Sequence, residues 1–112
     1  MFMDNKHLYL VFEFIDGIDL SDYITENIRV SEENTNIILS QICSTIEYLH
    51  SIHICHRDIK LDNIMINQKT LEIKLIDFGF ATKCSDRTRL KGKIGTPYYV
   101  APEVITGTYG KE

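Results

Sequence analysis

The stretch His56-Arg57-Asp58-Ile59-Lys60-Leu61-Asp62-Asn63 decides how this chain is read. It concentrates charge between an apolar helical pattern upstream and the apolar run Ile64-Met65-Ile66 downstream, where solubility alone asks for no such density. A site is the economical explanation. Further along, Asp77-Phe78-Gly79 closes a second apolar run, and an Asp followed by Gly at a strand end can turn its carboxylate toward a pocket. A carboxylate and an Asn amide oxygen are hard ligands that suit Mg2+, which binds few protein groups and leaves the rest of its shell to water and phosphate.

Working outward, His7 to Ile15 is aromatic and β-branched, with Leu8, Leu10, Phe12 and Phe14 on one side, and predicts a strand largely buried on both faces. Asp16-Gly17 ends it. Leu20, Tyr23 and Ile24 then follow at helical spacing, predicting a short helix capped by Asp19 or Ser21. A longer helix is expected from Ser31 to Ser51, with Ser31 as N-cap and Glu32 and Glu33 at the positive end of its dipole. Its stripe is Ile38, Ile42, Ile46 and Leu49, widened by Ile37 and Cys43, which predicts burial among other elements. Ile64 to Ile66 and Leu71 to Ile76 read as a hairpin turned by Asn67-Gln68-Lys69-Thr70. Between Gly79 and Pro97 the chain is polar and carries Lys83, Arg87, Arg89, Lys91 and Lys93, a solvated functional loop rather than a nucleic-acid patch.

Length and composition bound the rest. A chain of 112 residues is one unit at most. With 44% hydrophobic and 25% charged residues it has the composition of a packed, soluble chain. Its net charge of −4 gives no general pull toward nucleic acid or anionic lipid, so neither is an expected partner. No apolar run approaches the roughly 18 residues of a membrane span, and Met1-Phe2-Met3-Asp4-Asn5-Lys6 has no signal-peptide pattern, reading instead as a strand end running into a turn. Cys43, Cys55 and Cys84 are odd in number and irregularly spaced, which predicts no disulfide framework and a reducing compartment, the cytoplasm or the nucleus. His50, His53, Cys55 and His56 lack the Cys-x-x-Cys pairing of a common zinc site.

His56 to Asn63, then Asp77-Phe78-Gly79, then Gly95-Thr96-Pro97-Tyr98-Tyr99-Val100-Ala101-Pro102-Glu103 resemble, in order, three segments of eukaryotic protein kinases: the catalytic loop, the metal-binding loop and the end of the activation segment. The likeness runs from about Leu8 to Glu103. It implies a partial α+β protein-kinase-like fold, with residues 1–19 as the end of the N-lobe and the hinge, and residues 20–112 as the first part of the C-lobe. It also implies ATP and Mg2+ as cofactors and a protein substrate. By resemblance Asp58 is the base that accepts the substrate hydroxyl proton, Lys60 neutralises the transferring phosphoryl group, and Asn63 and Asp77 hold Mg2+. Thr96 hydrogen-bonds toward Asp58 and Lys60, and His56 packs on Phe78. The Glu13 carbonyl and the Ile15 amide face adenine behind a Phe12 gatekeeper, Asp19 meets the ribose and Met65 lies beneath the ring.

Lys60 and Gly95-Thr96-Pro97 are similar to serine/threonine kinases, most like the calcium- and calmodulin-dependent branch. Asp19 and Asp62 match positions that meet basic residues upstream of the phosphoacceptor. Arg57 matches an arginine that pairs with an activation-loop phosphate. The usual phosphosite is Gly92 here, leaving Ser85 and Thr88 as candidates. The glycine-rich strand, the ATP-binding lysine and the flanking C-lobe helices are not in this sequence, so the chain alone is expected to be marginally stable and weak or inactive in transfer. The alternative is a non-catalytic kinase-like scaffold.

Overall fold

The computed structural model describes residues 1–85 and 87–111. Strands β1 (Phe2–Met3) and β2 (Leu8–Tyr9) pair antiparallel. Their turn is fixed by the Asp4 carboxylate, which accepts the amides of Lys6 and His7, each at 2.7 Å. Beyond Tyr9 the strand expected to reach Ile15 does not form, and Leu10, Val11, Phe12 and Phe14 are exposed rather than buried. A strand persists only with ladder bonds along an edge and cover on a face. Here the neighbouring strand is two residues long and itself exposed.

Strand β3 (Ile18–Asp19) runs straight into α1 (Leu20–Glu26). Asp19, not Ser21, is the N-cap, its carboxylate accepting the Asp22 amide at 2.8 Å. The long helix α2 (Glu32–Ser51) starts where the sequence places it, with the Ser31 hydroxyl accepting the Asn34 amide at 3.2 Å. Ile38 and Leu49 are buried and Ile42 and Ile46 half-buried, but Ile37 and Cys43 are exposed. The helix therefore presents one covered stripe instead of being enclosed all round.

After β4 (Ile54–Cys55), the charged loop ends in a 3-10 turn at Leu61–Asn63 and enters the hairpin β5 (Ile64–Ile66) and β6 (Ile73–Leu75). Asn67 fixes the hairpin turn by accepting the amides of Lys69 and Thr70. The order β3-β5-β6 makes an antiparallel three-stranded sheet with β5 at its centre. Gln41 locks α2 to this sheet, donating to the Leu71 carbonyl at 2.8 Å and accepting the Ile73 amide at 3.2 Å. Between them lies the main core of Leu20, Tyr23, Ile38, Ile64, Ile66 and Ile73. Gly17 lets β3 approach, because a Cβ there would run into the Ile66 carbonyl group.

The described residues of the polar segment after Gly79 include paired strands that its sequence does not suggest. It contains β7 (Thr82–Lys83), paired with β4, and β8 (Leu90–Lys91), paired with β9 (Thr108–Tyr109). Between the last two lies α3 (Pro102–Thr106), opened by its proline and closed by Gly107 at φ 88°. Leu90 and Tyr109 meet Cys55 and Cys84 in a second, smaller core.

Cys55 and Cys84 are joined in a disulfide, which corrects the expectation of three unpaired thiols. The register Ile54 to Lys83 and Cys55 to Thr82 places Cys55 and Cys84 diagonally on one face, with Cα atoms 6.2 Å apart. Cysteine spacing along the chain carries no information about that register. Cys43 is free and exposed. Among the described residues no helix is long and apolar enough to cross a membrane.

Candidate active site

The charged loop is shaped by one backbone turn. Arg57 adopts φ 69°, a left-handed conformation that side chains with a Cβ rarely take, directly before Asp58. Its guanidinium stabilises the turn by donating from Nε to the Phe80 carbonyl at 2.6 Å, across the Asp77-Phe78-Gly79 turn. His56 spans the same gap. Its Nδ1 accepts the Asp58 amide at 3.2 Å, so Nε2 bears the proton and donates to the Ile76 carbonyl at 3.0 Å. The His56 ring meets Phe78 edge-on at 4.8 Å, as expected.

Asp58 is only 6% exposed, and its carboxylate is satisfied from three directions. Oδ1 accepts the Thr96 hydroxyl at 2.7 Å, and Oδ2 accepts the Asn63 amide at 3.0 Å and lies 3.5 Å from the Lys60 ammonium. Asn63, buried as well, also donates Nδ2 to the Asp58 carbonyl at 2.8 Å, which leaves its Oδ1 directed away from Asp58. Burial on its own pushes the Asp58 carboxyl up. The Thr96 hydroxyl, the Asn63 amide and the Lys60 charge outweigh it and hold the group below the ordinary carboxylate range.

Thr96 reaches Asp58 because Gly95 precedes it. At φ +118° a Cβ on Gly95 would sit 2.8 Å from Val100 Cγ1 and 2.9 Å from the Arg57 carbonyl oxygen, so only glycine lets this segment lie against the loop.

Asp77 also has a left-handed backbone, at φ 58°, and its Oδ1 accepts the Gly79 amide at 3.1 Å. It is held beside Asn63 through the chain, since the Ile76 amide donates to the Asn63 carbonyl at 2.9 Å. A cavity of about 870 Å3 runs from Phe12, Glu13 and Ile15 to Asp77, Phe78 and Gly79, with Glu13 anchored by Lys74 at 2.8 Å. Asp19 and Met65 face each other in the β3 and β5 pairing, outside the lining of that cavity, and the Asp19 carboxylate is engaged as the α1 cap.

The structure thus gathers Asp58, Lys60, Asn63 and Thr96 into one bonded cluster. It sets Asp77 next to that cluster and Glu13 and Ile15 across a cavity from Asp77. The Arg57 contact with the Phe80 carbonyl and the close approach at Gly95 were not anticipated. The glycine directly before Thr96 was the one available signal.

A folded-state carboxyl held low contributes stability above the ordinary carboxylate pKa of about 4, and loses it as pH falls through its own lower value. Thr96→Val is therefore expected to cost about 1.5–3 kcal/mol at pH 7, and the gap to the parent chain should narrow below about pH 4. Urea unfolding at the two pH values checks this. A gap independent of pH would mean that Thr96 does not act through the Asp58 charge.

Compared with known protein families, the whole of residues 1–112 matches the protein kinase domain. The chain belongs to the protein kinase family. It is 44% identical over 113 residues to calcium-dependent protein kinase 5 of Plasmodium falciparum, which covers 99% of this chain and 20% of that protein. To calcium-dependent protein kinase 4 of the same organism it is 41% identical over 114 residues, 99% of this chain and 22% of the relative. Protein kinase kin1 of Schizosaccharomyces pombe is 39% identical over 105 residues, covering 94% of this chain and 12% of the relative. The chain spans about a fifth of the length of the calcium-dependent kinases it matches.

Proposed function

We propose that this chain supplies the phosphoryl-handling part of a serine/threonine protein kinase that moves the γ-phosphoryl group of ATP to a protein hydroxyl. In this reading residues 1–19 are the end of the N-lobe and the hinge, and residues 20–112 open the C-lobe. The observation that carries the proposal is the Asp58 carboxylate, buried, ionised and held by Thr96, Asn63 and Lys60. Oδ2 is occupied by two donors and Oδ1 by one, which keeps a lone pair on Oδ1 for an incoming hydroxyl. Asp58 orients that hydroxyl and takes its proton as the bond to phosphorus forms. A carboxylate held this low is a weak base, which suits a loose transition state in which positioning and charge matter more than proton abstraction. Lys60, 3.5 Å from Oδ2, places a positive charge beside the transferring group.

The donor set fits Mg2+. Asn63 turns its amide oxygen away from Asp58, and Asp77 keeps Oδ2 outside its bond to Gly79. Among the described residues no three His, Cys, Asp or Glu side chains gather around one point. A cation would therefore take few protein ligands and complete its shell with water and phosphate, as Mg2+ does. Asn63 and Asp77 would hold it, and it would neutralise phosphate charge. Glu13 and Ile15 on the cavity rim supply backbone groups for adenine, whereas Met65 and Asp19, whose carboxylate caps α1, lie outside that cavity and are left without a nucleotide contact in this reading.

Acidic crowding supports a basic protein substrate. The Asp22 carboxyl is raised, first by the Asp19 charge and further by Glu26 and Asp62. Basic residues upstream of the phosphoacceptor would relieve that repulsion. The test grafts residues 1–112 in place of the matched stretch of the 44% identical relative and follows labelled γ-phosphate into a serine peptide. Transfer that needs Mg2+ is expected. A folded graft that binds the nucleotide and transfers nothing would overturn the proposal.

A further inference from the structure

The Cys55–Cys84 pair belongs to neither the phosphoryl-handling cluster nor the nucleotide cavity, yet it touches the backbone of both loops that build the site. Cys55 immediately precedes His56, Arg57 and Asp58, and Cys84 closes the strand that follows the Asp77-Phe78-Gly79 turn. Arg57 and His56 tie the Asp58 loop to Phe80, Ile76 and Phe78, but beyond Phe80 few contacts fasten the two segments together. The β4 and β7 strands are two residues each, extended by a bond from the Cys84 amide to the His53 carbonyl at 2.8 Å. Among the described residues the small core they share with β8 and β9 has four buried side chains, and two of them are these cysteines. One cavity of about 270 Å3 is lined by Cys55 together with Arg57, Asp58 and Thr96, so the disulfide adjoins the site, while both cysteine side chains are themselves buried.

We propose that Cys55 and Cys84 form a redox modification site, a dithiol–disulfide couple that takes a hydroperoxide as oxidant and a small thiol as reductant. Its state sets how firmly Cys84, Leu90 and Lys91 are held beside the Asp58 loop. In the oxidising direction one thiolate attacks the peroxide and the O–O bond breaks, leaving a sulfenic acid and releasing an alcohol, or water from hydrogen peroxide. The second thiol then displaces water as the S–S bond forms. The two sulfurs together lose two electrons, the peroxide gains them, and both thiol protons end on oxygen. In the reverse direction a thiolate such as glutathione opens the bond to a mixed disulfide. A second glutathione then releases the protein thiol and leaves as glutathione disulfide. Cys43, alone and exposed on α2, takes no part.

The test uses the full chain, reduced with glutathione and then treated with hydrogen peroxide. Iodoacetamide labelling and amide hydrogen exchange are read at each step. Cys43 should label in both states, and Cys55 and Cys84 only after reduction. Amides of Cys84, Leu90 and Lys91 should exchange about tenfold faster in the reduced chain while those of α2 and β5 stay protected. Cys84→Ser should match the reduced chain and ignore peroxide. Should that variant fail to fold, Cys43→Ser must still show the full cycle. The proposal is overturned if both buried cysteines still label after peroxide or if glutathione cannot open the bond. It is equally overturned if exchange is the same in both states, or rises throughout the chain as loss of a purely structural cross-link would require. None of these readouts depends on phosphotransfer, so the kinase proposal stands or falls separately.

Discussion

Asp58→Asn in the grafted domain is expected to lower kcat by about 10²–10⁴, the range for loss of a positioned proton acceptor, with the KM for ATP and peptide changed only a few fold. In free energy this is about 3–5.5 kcal/mol of transition-state stabilisation. The substitution keeps size and shape but reverses the hydrogen-bond logic. An amide has only one acceptor oxygen, whereas the native carboxylate satisfies Thr96 on one oxygen and Asn63 and Lys60 on the other. Whichever way the new amide turns, its NH2 group faces a donor and no charge remains to hold Lys60. A fall in kcat at constant KM marks an interaction made in the transition state rather than in binding. A rise in KM at constant kcat would assign Asp58 to substrate binding and remove it as proton acceptor.

The second large effect is on stability. Ile66 is fully enclosed, on the central strand of the three-stranded sheet and inside the core with Leu20, Tyr23 and Ile38. Ile66→Ala should cost about 2–5 kcal/mol through lost transfer energy and the cavity left behind, against total stabilities of about 5–15 kcal/mol. The melting temperature should fall by at least about 10 °C. Ile28→Ala, at a side chain 94% exposed, should change stability by less than about 0.5 kcal/mol. The effect reaches the site because β5 follows directly on Asn63, whose amide donates to the Asp58 backbone carbonyl and to Asp58 Oδ2. Equal effects from Ile66→Ala and Ile28→Ala would show that the sheet is not where this chain holds its core.

How much of this was legible in the sequence depended on the range of the interaction. The long helix could be read because its cap and its stripe of Ile38, Ile42, Ile46 and Leu49 are set within a few residues. The hairpin could be read because Asn67 fixes its own turn. The run His7 to Ile15 was misjudged because an apolar composition states what a segment would bury, not whether a neighbour is there to cover it. The cystine was missed because it follows from the β4–β7 register, which joins residues 29 positions apart in sequence. Strands β7, β8 and β9 are two residues each, too short to leave a periodic trace.

The site was more legible than the fold around it. Its charges are clustered in sequence, and the resemblance assigned Asp58 and Thr96 partners that the structure places 2.7 Å apart. What neither pattern nor resemblance disclosed were the left-handed turns at Arg57 and Asp77 that aim the two loops, because backbone conformation at such residues is imposed by the contacts around them.

The central claim is that Asn63 and Asp77 face the same bound nucleotide as Asp58. It is tested most directly by counting Mn2+ ions bound to the grafted domain with a non-hydrolysable ATP analogue, using electron paramagnetic resonance. About two ions are expected for the parent graft, as in protein kinases generally, with at least one lost in each of Asn63→Ala and Asp77→Asn while the analogue still binds. An unchanged count in both folded variants would contradict the account.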